Sequence, residues 1–405
     1  MKVLIIGGGA SGMLAGITAS KSGNDVVLLE QNEKLGKKIY ITGKGRCNLS
    51  NYCEVNEFLP NVVNNPKFLL SALYKFSPKE TYNFFEKNGL KLKVERGNRV
   101  FPESDKASDV TKTLEKILVN NGVDIRLNVK VIDLIVENGV CKGVITDKGE
   151  ISADKTIICT GGVSYPATGS TGDGFIFAKK CGHKIINPKP SLCGIELFGN
   201  DFLEAQGLSL KNVQINLILN DKILYSDFGE MLFTHFGISG PIVLSASAIL
   251  NKYVGEKISV LIDLKPALTE ETIDKRLINE FSIDGNKNVS SIIRGFVPSS
   301  LVNIIAKQAR IPLNKKCAEI TKNERQNLIK TLKNLTFSFK KLRPIEEAIV
   351  TSGGVDVKEV NPKTMESKLC SGLFFAGEVL NVDCFTGGYN LQTAFSTGFL
   401  AGENN

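Results

Sequence analysis

The sequence predicts an α/β fold organised on a βαβ unit, and three observations carry that expectation. A short apolar run, Val3 to Ile6, passes directly into Gly7-Gly-Gly-Ala-Ser-Gly12. A second apolar run, Val26 to Leu29, ends on Glu30. Towards the C-terminus, Leu373-Phe-Phe-Ala-Gly-Glu378 and the segment opened by Gly387-Gly388 repeat the strand, glycine, helix order. Uninterrupted apolar runs this short are what strands buried on both faces of a parallel sheet require.

The glycines divide the labour of a phosphate turn. Gly7 allows the tight turn, Gly9 lets backbone approach a pyrophosphate, and Gly12 lets the helix pack on the strand. The helix runs from about Ala10 to Ser22, with its free amides and positive dipole end directed at the phosphate. Gly16 gives a further close helix–sheet contact, and Gly23 ends the helix. Glu30 falls where a carboxylate accepts ribose hydroxyls. An acid there favours an unphosphorylated ribose, hence FAD or NAD over NADP.

From Lys34 to Asn51 the chain is too rich in Gly and Lys for a core and too apolar for a linker. Lys37, Lys38, Lys44 and Arg46 put positive charge where it passes back over a bound dinucleotide, with Gly43 and Gly45 permitting close approach. Amphipathic helices follow over Ser77–Gly89 and Ser108–Asn120, the second with Ser108 as N-cap. Four short strands between Asp124 and Ala153 alternate with turns at Asn138-Gly139 and Lys148-Gly149, which predicts a small antiparallel meander. Lys155 to Cys159 is a further parallel strand running into Thr160-Gly161-Gly162 and a long glycine loop.

From about Pro188 the pattern turns to short strands: Ile195–Phe198, Val213–Leu219, Lys222–Tyr225, Lys257–Leu264 and Leu335–Lys341, with an apolar helix over Ile242–Tyr253. Thr269 to Asn334 is almost wholly helical in pattern and reads as an insertion. The expected domains are therefore residues 1–187 with 344–405, residues 188–268 with 335–343, and residues 269–334. The last strand and its glycine-opened helix make a second dipole end. Such an end faces the pyrimidine edge of a flavin, where negative charge develops on reduction, which favours flavin over nicotinamide.

Composition bounds the partners. With 50 basic and 42 acidic residues the net charge is +8, but the lysines are scattered and only 9 of the basic residues are Arg. That pattern is a solvated surface rather than a nucleic-acid footprint. No apolar run approaches the roughly 20 residues of a membrane span. The chain enters its first strand at once, without a signal peptide, so a cytoplasmic protein is expected. Nine cysteines contain no CxxC and there are two histidines, so no metal site is expected.

Six blocks in order carry a family resemblance over nearly the whole chain. They are Gly7 to Glu30, Thr42-Gly-Lys-Gly-Arg-Cys-Asn48, Arg99-Val-Phe-Pro102, Thr160-Gly-Gly-Val-Ser-Tyr-Pro-Ala-Thr-Gly169, Phe233-Thr-His-Phe-Gly-Ile-Ser-Gly-Pro241, and Ala376-Gly-Glu378 with Gly387-Gly-Tyr-Asn-Leu-Gln392. The chain resembles the BaiN-like FAD-dependent oxidoreductases, a family that includes aminoacetone-oxidase-like flavoproteins. The resemblance implies a Rossmann-type, glutathione-reductase-like FAD-binding domain, a β-barrel-like second domain and an inserted helical subdomain. It also implies FAD contacts. Gly9, Ala10 and Ser11 would hold the pyrophosphate, Glu30 the ribose, and Lys37 would sit by the adenosine. Arg46, Cys47 and Asn48 would lie along pyrophosphate and flavin, with Val131 touching adenine through its backbone. Gly377, Glu378, Asn390 and Leu391 would flank the flavin ring and ribityl chain. Gly7, Gly12, Thr160, Gly161 and Gly388 complete the expected cofactor set.

Three residues are candidates for chemistry, each with a plainer reading beside it. Cys47 adjoins Arg46, which could lower a thiol pKa, or it is a small residue packed near the flavin. His235 could donate a proton to substrate, or it orders a turn. Tyr165 could protonate an enolate or line the pocket, or it packs. His183 reads as a helix C-terminal cap. Because the family is functionally mixed, the leading expectation is NADH- or NADPH-driven reduction of a conjugated C=C in a small enone-type, steroid- or bile-acid-like substrate, with hydride passing through flavin N5. The alternatives are an amine oxidase reducing O2, an RNA-acting flavoprotein and a Cys47-based redox sensor. There is no second complete glycine-rich unit, so nicotinamide would visit the flavin only transiently.

Overall fold

A computed structural model describes residues 1–404. The chain forms two compact units, Met1–Ser191 with the segment from Pro344, and Leu192–Arg343.

The first unit is built on a five-stranded parallel sheet. In spatial order its strands are Leu373–Phe375, Lys155–Ile158, Lys2–Ile6, Asp25–Glu30 and Asp124–Leu127. Numbered along the chain this is the order 5-4-1-2-3, which reverses at the first strand. Val3 pairs with Lys155 on one side and Val26 on the other. Ligands bind open α/β sheets at the carboxyl ends of strands beside such a reversal. Val3, Leu4 and Ile5 are fully buried, as the apolar run requires.

The crossover from the third to the fourth sheet strand is the expected meander, Val131–Glu137, Val140–Thr146 and Gly149–Ser152. Its first turn holds Asn138 and Gly139 at φ of 50° and 77°, the left-handed pair that a two-residue hairpin demands. Ala10–Lys21 forms the first helix, packed through Gly16 on Ile5, Leu28 and Leu118. The helix after Ser77 is closed by a reciprocal capping box with Glu80. The next helix differs from expectation: it begins at Ala107 with no side-chain cap, and Ser108 lies inside it.

The second unit contains a closed six-stranded antiparallel barrel. Round the barrel run Ile195–Leu197, Gly237–Ser239, Lys222–Phe233, Ser209–Leu219, Ser259–Asp263 and Leu335–Leu342. Alternate residues fill it; Val213, Ile215, Leu217, Val260 and Ile262 are buried. Between Asp263 and Leu335 the chain makes helices over Glu270–Ile283, Val289–Phe296, Val302–Ala309 and Lys322–Lys333.

Candidate functional site

The phosphate turn separates into structural and open glycines. Gly7 has φ +103°, and a Cβ there would lie 2.6 Å from the Cys159 carbonyl, so the turn closes against the end of the fourth sheet strand. A Cβ on Gly12 would come within 1.9 Å of the Gly7 carbonyl. At Gly9 it would meet nothing within 4 Å, so this backbone faces open space. Helix Ala10–Lys21 starts there with no side-chain cap and no acidic residue in its first turn. Its first amides are available to an anion.

The C-terminal helix, Tyr389–Glu403, likewise opens on Gly388 without a side-chain cap or an early acid. The two helices pack side by side through glycine. Cβ atoms on Gly398 and Gly402 would lie 2.3 and 2.4 Å from the carbonyls of Ser11 and Ala15, and one on Gly377 would lie 2.5 Å from Ser11 Oγ. The two ends of the chain thus meet beside the phosphate turn. Thr160 and Gly161 follow the adjoining strand. The Thr160 hydroxyl is buried without a partner, and Gly161 has φ +73°.

Glu30 is almost fully buried. Its Oε2 accepts the Gly8 N–H at 2.8 Å and its Oε1 accepts the Asn32 N–H at 2.9 Å, tying the second strand to the turn. Lys37 Nζ donates to Asn32 Oδ1 at 3.1 Å and pairs with Glu33 at 3.0 Å. Asn128 and Val129 donate backbone hydrogen bonds to the carbonyls of Asn32 and Glu30, so the chain entering Val131 runs past the same edge. Glu30 thus adjoins the turn at Gly8, with Lys37 reaching Asn32 beside it, while Gly377 adjoins the turn at Ser11.

Asn48 sits beside the start of the C-terminal helix, and Arg46 and Cys47, which precede it in the chain, are tied to protein elsewhere. The Arg46 guanidinium pairs with Glu95 and Asp105 and stacks 4.3 Å over Phe101. Cys47, at φ +61°, is fully buried, and burial pushes its thiol up to about 12. Of the two readings of Cys47 the burial agrees with a small packed residue and not with a thiol pKa lowered by Arg46: desolvation outweighs a guanidinium already neutralised by two carboxylates. In the amide orientation that satisfies both ends, Asn48 accepts the Gly388 N–H at 3.0 Å and donates to Ser50 and Val100. Asn390 Oδ1 accepts the Cys384 N–H and its amide donates to the Cys384 carbonyl, closing the loop before the helix. Leu391 is half-buried against the core.

Glu378 is held by three protein contacts. Oε1 accepts from Ser164 Oγ at 2.9 Å and the Thr351 N–H at 2.8 Å, and Oε2 pairs with Lys38 Nζ at 2.8 Å. Burial alone would raise this carboxyl's pKa, but the Lys38 charge and these hydrogen bonds bring it below the ordinary value. Lys38, Ser164 and Thr351 were not legible as one site. They lie 340, 214 and 27 residues from Glu378, with no local pattern linking them.

Of the candidates for chemistry, Tyr165 is half-buried at φ +50° and its carbonyl accepts the Thr168 N–H. His235 is exposed in the second unit, its ring 5.0 Å edge-on from Phe236. Phe236 lies 4.7 Å under Arg343, which pairs with Glu196 at 3.0 Å. His183 closes the helix Asp173–Lys180 through its backbone, its N–H donating to the Ala178 carbonyl at 3.0 Å just after Gly182 at φ +86°. Its ring is buried between Glu359 Oε2 at 3.2 Å and Ser367 Oγ at 2.7 Å, and burial lowers its pKa. Among the described residues no cluster of three His, Cys, Asp or Glu side chains suits a metal ion, and no helix is long and apolar enough to cross a membrane.

Comparison with known proteins accords with this geometry. The family described as "HI0933-like protein Rossmann domain" matches residues 1–404. The chain is 33% identical to a protein of Clostridium scindens named 3-dehydro-bile acid delta(4,6)-reductase, over 99% of this chain and 98% of that one. It is 29% identical to the ribosomal RNA dihydrouridine synthase of Escherichia coli, over 99% and 97%. The 3-ketosteroid-delta4-(5alpha)-dehydrogenase of Rhodococcus jostii shares the fold, with TM-score 0.52 and 14% identity over 99% of this chain and 95% of that one. The chain belongs to the HI0933-like family of FAD-dependent Rossmann-fold oxidoreductases.

Proposed function

We propose that this protein reduces a carbon–carbon double bond conjugated to a carbonyl, with NADH or NADPH as the electron source. One observation carries the reading. The two reductive names among full-length relatives describe the same bond type, since a 3-dehydro Δ4,6 steroid and the uracil ring both present C=C conjugated to C=O. The residues fit FAD. The Gly9 backbone and the uncapped start of helix Ala10–Lys21 suit the pyrophosphate, with Ala10, Ser11, Thr160 and Gly161 beside it. Glu30, Lys37 and the backbone at Val131 suit the adenosine end. Gly377, Glu378, Gly388, Asn390, Leu391 and the Arg46–Asn48 backbone suit the flavin end, with the C-terminal helix supplying a second uncapped N-terminus.

A bound FAD, once reduced by NADH or NADPH, would supply the hydride. The chain's part is to hold the cofactor, place positive dipole ends where charge develops, and deliver a proton to the α-carbon. Tyr165, in the unit that carries the site, is the candidate donor.

The leading substrate is a small enone such as a steroid 3-ketone. RNA is the second reading, favoured by the dihydrouridine synthase relatives rather than by the scattered charge. Anaerobic titration of holoprotein with NADH and NADPH tests the donor. Mixing the reduced protein with a 3-oxo-Δ4,6 steroid, with unmodified ribosomal RNA and with an amine then separates reductase, RNA and oxidase readings. Flavin that neither nicotinamide bleaches, but an amine does, would replace the proposal with amine oxidation.

A further inference from the structure

We propose that Lys38 is a positioning residue for cofactor binding, acting through Glu378. The inference rests on the FAD reading and adds a residue outside the expected cofactor set. Lys38 Nζ lies 2.8 Å from Glu378 Oε2 and 2.6 Å from Ser164 Oγ, and Ser164 Oγ in turn donates to Glu378 Oε1. Thr351 completes the ring. Its N–H reaches Oε1 at 2.8 Å, while its Oγ1 accepts the N–H groups of Val163 and Ser164 at 2.9 and 3.1 Å.

The ring lies against both backbone segments that frame the phosphate turn. A Cβ on Gly162 would lie 2.3 Å from Thr351 Oγ1 and 3.1 Å from Glu378 Oε1. Glu378 itself follows Gly377, which abuts Ser11 at the start of the first helix. An ionised carboxylate offers about four lone-pair directions. Three are taken by Lys38, Ser164 and Thr351, which leaves one on Oε2. The side chains of Lys38 and Glu378 stay 23% and 20% accessible, so that direction has room to meet a cofactor hydroxyl. Lys38 thus neutralises the carboxylate and fixes which oxygen is spent. Without the lysine, a mostly buried charge loses its counterion and turns towards other donors.

The test titrates FAD into apoprotein, following flavin fluorescence, and records the thermal midpoint of each apo form. The variants are Lys38→Met, Lys38→Arg, and Lys38→Met combined with Glu378→Gln. We expect Lys38→Met to weaken FAD binding by about tenfold or more, Lys38→Arg to retain most of the affinity, and the double variant to regain much of the loss because a neutral amide needs no counterion. Binding by Lys38→Met within about twofold of the unsubstituted protein, or Lys38→Arg as weak as Lys38→Met, overturns the proposal. Should Lys38→Met fail to fold, the other two variants decide: both binding FAD supports it, and neither binding overturns it. An unsubstituted protein that takes up no FAD counts against the cofactor reading instead.

Discussion

At Gly9 a methyl group would meet no atom within 4 Å, whereas at Gly12 it would press to 1.9 Å from the Gly7 carbonyl. Substitution should therefore split binding from folding. Gly9→Val sits at an ordinary extended conformation, φ −80° and ψ −169°. We expect it to leave apoprotein stability within about 0.5 kcal/mol while weakening FAD binding at least about tenfold. Gly12→Ala should cost roughly 1–3 kcal/mol or more by overpacking against backbone. Thermal melts and FAD titration of the two variants check both. The buried thiols give a pH signature. Cys47, Cys159 and Cys384 are each pushed up to about 12 by burial, so the folded state keeps protons that the unfolded chain releases from about pH 9. Their contribution is complete below pH 9 and is lost as pH rises towards 12. His183, lowered by burial, acts on the other side: its contribution is lost as pH falls below the ordinary imidazole range. Stability that stays flat between pH 8 and pH 11 in denaturant titrations would contradict the thiol assignment.

Elements carry the next level of argument. The first and last helices touch through Gly398 and Gly402 at distances that admit no side chain. Gly398→Ala should lower stability by roughly 1–3 kcal/mol, because its Cβ would meet the Ser11 backbone. It should also weaken FAD binding, since Ser11 opens the first helix; a variant that melts early yet binds FAD unchanged would break that link. Ser77→Ala, remote from the turn, removes one half of a capping box and should cost about 1 kcal/mol with no change in flavin affinity. What was legible here was periodic and local: the apolar runs, the glycine turns, the amphipathic helix from Ser77 to Gly89. The barrel was less so. Lys222–Phe233 continues past Tyr225 through Ser226 to Glu230, mostly exposed or half-exposed polar and glycine positions that break the apolar alternation. Gly237–Ser239 is a three-residue strand held by its neighbours, Ile195 and Leu232 among them, rather than by its own propensity. The strand Val350–Val355 is preceded by Ile345–Glu347, which makes a 3-10 turn after Pro344.

For the whole molecule, the cofactor framework was readable because each part is a short motif in sequence, while the ring around Glu378 was not. That ring joins residues 38, 164, 351 and 378, which meet only once the sheet is assembled in the order 5-4-1-2-3. The partners of Arg46 were hidden for a related reason: Glu95 and Asp105 are 49 and 59 residues away, and they absorb the charge that could otherwise act on Cys47. At this scale the substrate also becomes testable. If reduction acts on a small enone, turnover should change little as salt is raised. An RNA substrate would show a steep loss, because phosphate contacts release counterions. The account's central claim is that the glycine-opened helices from the two ends of the chain hold a single flavin nucleotide. Its most direct measurement is the flavin content of purified protein, read from its absorbance spectrum after reconstitution with FAD. One FAD per chain, bound at least about tenfold more weakly in Gly9→Val, is the result expected; a colourless protein that still folds and takes up no FAD would contradict it.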